Sequence, residues 1–237
     1  MAWNVDPALL SRTYRDPLAI FGLVVDLLPI FAVLTLGWGA APLVFLYWLE
    51  NLVIGLMTVV RMLTVGIMNG VATTLGALFM SAFFTVHYGM FCFVHGIFLV
   101  ALSTDMSHGT TDGPLNQGGF PGIDTMISYM LGSAPGMVMI LALILAFNLA
   151  VYLIDGVMRG ELRDGELNEE MGAPYGRIIV VHIGIFAGFG AMVALGEPML
   201  GVLGLILLRV LWGVFLAVRR RLRLDGGEKV DGASRIG

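Results

Sequence analysis

Six apolar runs, each about as long as a bilayer is thick, constrain this chain more than any other feature. A transmembrane helix takes ~20 mostly apolar residues. Segments at about 17–38, 41–65, 73–102, 134–157, 175–195 and 198–218 meet that requirement. In a chain of 237 residues this leaves little room for any soluble module. Composition agrees: 58% of the residues are hydrophobic and 13% charged, against ~25% charged in an ordinary soluble domain. The expected fold is an all-α integral membrane protein, a six-transmembrane-helix bundle forming a single membrane domain over 1–218. Residues 219–237 read as a basic, disordered cytoplasmic tail. A short helix over 124–132 is expected at the membrane interface.

Orientation follows from arginine and lysine in the loops. Arg12, Arg15, Arg61, Arg159, Arg163, Arg177 and the run from Arg219 to Arg223 all fall at one end of the helices. The opposite connections, around 39, 103–124 and 196, contain no lysine or arginine. Both termini are therefore expected in the cytoplasm, and the expected location is a bacterial or archaeal cytoplasmic (inner) membrane. The first apolar run lacks the short core and small-residue cleavage site of a signal peptide, so it reads as a retained helix. The partner implied is the lipid bilayer. A basic run directly after a membrane helix reads as a topology anchor touching anionic lipid, not as a nucleic-acid surface. The 32 glycines suit close helix packing and allow homo-oligomers.

Against this background the polar residues stand out, because an ionisable side chain at mid-membrane costs at least ~2.5–3.5 kcal/mol. Counting ~1.5 Å per residue from the segment ends puts Glu50 near the middle of the second helix, with Asp26, His182 and Arg209 somewhat inward of the middle. His87 falls mid-to-outer and His95 near the outer end. His87 and His95, eight apart, differ by ~80° around the helix and ~12 Å along it, so they do not share one ion. Tyr88, Cys92 and His95 form one stripe by the i, i+4, i+7 rule.

Glu50 and His87, at similar depth on consecutive helices, are expected to meet as a catalytic pair. Asn51, Tyr88, His95 and His182 are the binding candidates around them. Carboxylate oxygen with imidazole nitrogen is also the donor set of a divalent metal site, here Glu50, His87 and His182. A hydrogen-bonded pair that fixes helix register is the plainer alternative. Asp26 and Arg209, at matching depth, are expected to form a charge pair between the first and sixth helices. Trp38, Tyr47, Trp48 and Tyr175 are expected in the aromatic belts at the interfaces. The single cysteine, Cys92, excludes an intramolecular disulfide.

The string YWLEN, Tyr47 to Asn51, followed by the aromatic helix bearing His87 and His95, resembles a family of uncharacterised bacterial and archaeal integral membrane proteins, a domain of unknown function. The resemblance rests on the second and third helices and implies a polytopic membrane protein without naming an activity. A partial similarity to membrane proteases of the CAAX-processing type lies in two FxxxH spacings, Phe83–His87 and Phe91–His95. The second glutamate of their paired motif is replaced here by Asn51. Three functions stay open: a metal-binding or enzymatic site, a proton-coupled small-solute transporter, and a structural or assembly protein. The substrate, a small molecule or a lipid, is not specified by any motif.

Overall fold

The computed structural model describes residues 7–106, 121–163, 165–176, 178–179 and 198–234. Among these the chain is all helical. A short helix α1, Pro7–Thr13, leads into α2, Pro17–Leu36. Asp16 caps α2: its carboxylate accepts from the Leu18 N–H at 2.9 Å, and Pro17 takes the first-turn position where a missing N–H costs nothing. The helix ends at Gly37, whose φ of 68° is the left-handed conformation that glycine adopts without strain.

Helices α3, Ala40–Met68, and α4, Val71–Met106, follow as a long antiparallel hairpin. Two residues, Asn69 and Gly70, turn the chain between them, with Gly70 at φ 96°. Glycine sets their closeness. A Cβ added at Gly55 would overlap the Tyr88 ring, and one at Gly66 would overlap Ala77. Next come α5, Ile123–Leu131, and α6, Met137–Val151, which runs on into a π-helical turn, Tyr152–Met158. A further helix, α7, covers 167–176, and α8 spans Pro198–Ser234.

Four of these helices are long and apolar enough to cross a membrane: Pro17–Leu36, Ala40–Met68, Val71–Ala101 and Met137–Met158. They mark the chain as a multi-pass membrane protein. Their outward faces carry large apolar side chains such as Leu34, Phe79, Phe83 and Phe98, all exposed. Water would penalise such a surface, whereas acyl chains solvate it. The expected fifth span lies almost wholly outside the described residues. The sixth expected span corresponds to the first part of α8, but the helix does not stop at 218. It continues to Ser234, where a disordered tail was expected. Arginine and leucine are good helix formers, and the pair Arg221–Asp225, at 2.8 Å and one turn apart, supports the extension.

The core lies where α2, α3, α5 and α6 meet, around Trp38, Leu43, Leu46, Trp48, Met130, Ile140 and Ile144. Three residues expected in interfacial belts, Trp38, Tyr47 and Trp48, are buried here instead. Each indole N–H finds a backbone carbonyl that lets it stay buried: Trp38 donates to Pro135 O at 2.9 Å and Trp48 to Cys92 O at 2.8 Å. Likewise α5 does not simply lie on the surface. It tucks Met126 and Met130 fully into the core.

Candidate intramembrane charge site

Three helices bring one charged residue each to the middle of the bundle. Asp26 sits halfway along α2, Glu50 in the first half of α3 and Arg209 eleven residues into α8. The Arg209 guanidinium grips both oxygens of Glu50, through Nη2 to Oε1 at 3.0 Å and through Nη1 to Oε2. Its Nε lies 3.3 Å from Asp26 Oδ1. The third side of the guanidinium faces the Tyr47 ring, with Cζ 5.3 Å from the ring centroid. Tyr47 and Glu50 are three apart on α3 and so lie on one face. Gly213, one turn beyond Arg209 on α8, makes room for the carboxylate: a Cβ there would overlap Asp26.

The two carboxylates are held unequally. Glu50 makes the forked pairing that matches guanidinium geometry, whereas Arg209 Nε faces Asp26 at 3.3 Å without an aligned hydrogen bond among the described residues. The exposure of the side chains follows suit, 18% for Asp26 against 4% for Glu50 and 6% for Arg209. With both acids ionised the formal charges are −1, −1 and +1, leaving the triad at −1. Pro29 adds a further polar group nearby. Lacking an N–H, it leaves the Val25 carbonyl without its helical donor, one residue before Asp26. Asn51, next to Glu50 in the sequence, has an enclosed Oδ1 with no hydrogen-bond partner among the described residues.

Asp26 and Arg209 are thus brought together, as their matching depth suggested. The expected Glu50–His87 pair is not formed. Glu50 is engaged by Arg209, while His87 lies on the exposed side of α4 with its ring stacked on Phe83 at 5.6 Å and tilted against Tyr175 at 6.3 Å. The reason is angular. Tyr88 points into α3, donating to Asn51 O at 3.1 Å, so its neighbour must point ~100° away. His95 is half-buried, and its Nδ1 meets Phe91 O at 2.8 Å within its own helix. His182 lies outside the described residues. Among the described residues no three His, Cys, Asp or Glu side chains are grouped to hold a metal ion, and both Glu50 oxygens accept from the guanidinium.

A helical multi-pass membrane protein with a buried acid–arginine–acid triad is the class that fold and site define. A family model, "Family of unknown function (DUF6498)", matches residues 8–228, and the chain belongs to that family. Neither the curated proteins nor the solved structures contain a match to the chain. The family match extends far beyond the two helices on which the sequence resemblance rested.

Proposed function

We propose that the protein is a proton-coupled carrier of a small polar solute, with Asp26, Glu50 and Arg209 as the coupling site. The observation that carries the reading is the triad's charge: two carboxylates share one guanidinium in the middle of an apolar bundle, with an excess of −1. Two carboxylates drawn to one guanidinium inside an apolar bundle crowd like charges, and one bound proton relieves that crowding. Asp26, the more exposed acid and the one outside the forked pair, takes that proton. Glu50 stays ionised on Arg209. Protonation also frees the Nε side of Arg209, which offers a solute a hydrogen-bond donor at the triad. A carrier of this kind needs the triad neutral to reorient, which ties proton and solute to one cycle.

In this reading the first part of α8 and the 175–195 segment complete six spans. The arginine bias puts both termini in the cytoplasm and the triad in the cytoplasmic membrane. His87, His95, Tyr88 and His182 have no part in the proton step.

The test is a vesicle assay with an internal pH dye and an imposed pH gradient. A panel of small amines, amino acids, carboxylic acids and sugars is added outside. One solute class is expected to dissipate the gradient in wild-type vesicles and not in Asp26→Asn vesicles. Dissipation equal in both, or none from any class with folded protein, overturns the reading.

A further inference from the structure

A second ionic cluster lies at the end of the bundle where the arginines gather, and its construction differs from that of the triad. Arg220 on α8 holds Asp16, the α2 cap, through Nη1 at 2.8 Å. The same guanidinium holds Asp155 through Nη2 at 3.0 Å and through Nε. Arg159 backs both acids, 2.7 Å from Asp155 and 3.9 Å from Asp16. The formal charges here, two acids and two arginines, sum to zero, so the cluster closes on itself and needs no proton. One side chain ties three elements together.

Three observations give this cluster a mechanical role. Arg209 and Arg220 are eleven residues apart on one helix, which is three turns and nearly the same face, ~16 Å apart along the axis. Any shift or rotation of α8 at the triad therefore moves Arg220. Asp155 belongs to the π-helical turn, a strained widening of a helix that is concentrated at functional sites. Gly156 inside the turn lets Leu162 pack against its backbone, where a Cβ would overlap it, and Gly160 just beyond, at φ 80°, ends the turn. Asn148 and Tyr152 lie on one stripe of α6, at i and i+4, and Asp155 follows on the π turn. They form a polar line leading from the cluster toward the level of the triad.

We propose that the Asp16–Arg220–Asp155 cluster is the inner closure of the solute path and that α8 couples its opening to the state of the triad. The proposal rests on the carrier reading above. When Asp26 is protonated its hold on Arg209 is lost, α8 is released from α2 at mid-membrane, and the guanidinium of Arg220 withdraws from the two acids. The cluster then opens the end of the bundle below Asn148.

The test places a reporter cysteine at Asn148→Cys in a Cys92→Ala background, in nanodiscs, where both faces meet the reagent. A small charged thiosulfonate reports access. Asp155→Asn and Arg220→Gln are expected to raise the labelling rate about tenfold by shifting a local opening equilibrium. Arg223→Ala, which breaks only the exposed 2.8 Å pair with Glu161 at the same end, is expected to leave it unchanged. If Arg220→Gln fails to fold, Asp155→Asn and Asp16→Asn decide, the latter keeping a good N-cap. Unchanged labelling in the cluster variants, or an equal rise in Arg223→Ala, overturns the closure. Increased labelling in a protein whose Asp26 binds no proton upholds the closure and removes the proton reading alone.

Discussion

Truncating Arg209 should cost far more than removing either acid, and the order of the three costs follows from the triad's charges. Arg209→Ala leaves two carboxylates at −2 with no cation, a broken buried ion pair of the kind that costs ~3–5 kcal/mol. Glu50→Gln loses a forked charge-assisted pairing, worth ~1.5–3 kcal/mol, but leaves Asp26 and Arg209 balanced at zero, which offsets part of that loss. Asp26→Asn removes the excess charge and keeps the forked pair, so its net effect should be ~1 kcal/mol or less, of either sign. The assay is reversible unfolding in mixed micelles, followed by helical signal against denaturant. The expected order of destabilisation is Arg209→Ala, then Glu50→Gln, then Asp26→Asn. Equal costs for Asp26→Asn and Arg209→Ala would refute the unequal sharing on which the proton assignment depends.

Gly213→Val should lower the unfolding midpoint more than Gly204→Val, because its side chain overlaps the Asp26 carboxylate, whereas no described residue lies against Gly204. Trp48→Phe removes the 2.8 Å bond to Cys92 O, a carbonyl that keeps its own helical donor, for a loss of ~0.5–1.5 kcal/mol in the same unfolding assay. The Cys92 thiol, 2% exposed, should resist maleimide in folded protein and react on unfolding; fast labelling of folded protein would contradict the packing of α4 on α3. At Asp16 burial works to raise the pKa, but the Leu18 N–H, Arg220 and Arg159 outweigh it and hold the carboxyl below its usual range. Its contribution is therefore present above the ordinary carboxylate value, ~3.9, and fades as pH falls through the lowered one. Asp16→Asn should flatten that acid limb of the stability–pH curve.

The sequence made the spans legible because hydropathy registers in every residue of a helix. The four described spans begin and end within about three residues of the expected limits. Depth was legible too, since rise per residue is fixed, and it placed Asp26 and Arg209 on one level. Azimuth was not. Depth alone paired Glu50 with His87 on the neighbouring helix, while the partner that engages it comes from α8, 159 residues away. Charge counting held the missing signal. Two acids and one cation estimated near mid-depth implied that the cation serves both. The buried indoles escaped for a related reason: an aromatic near a helix end satisfies either a belt or a core, and only the acceptor carbonyls of Pro135 and Cys92 decide.

The central claim is that Asp26 binds a proton that Glu50 does not. Infrared difference spectroscopy across a pH titration, on lipid-reconstituted protein, reads it most directly through the carbonyl stretch of a protonated carboxylic acid. The account predicts one such band in wild type, appearing as pH falls, absent in Asp26→Asn and retained in Glu50→Gln only as a weakened, shifted band. A band that survives Asp26→Asn unchanged, or none at all in folded wild type, would contradict it.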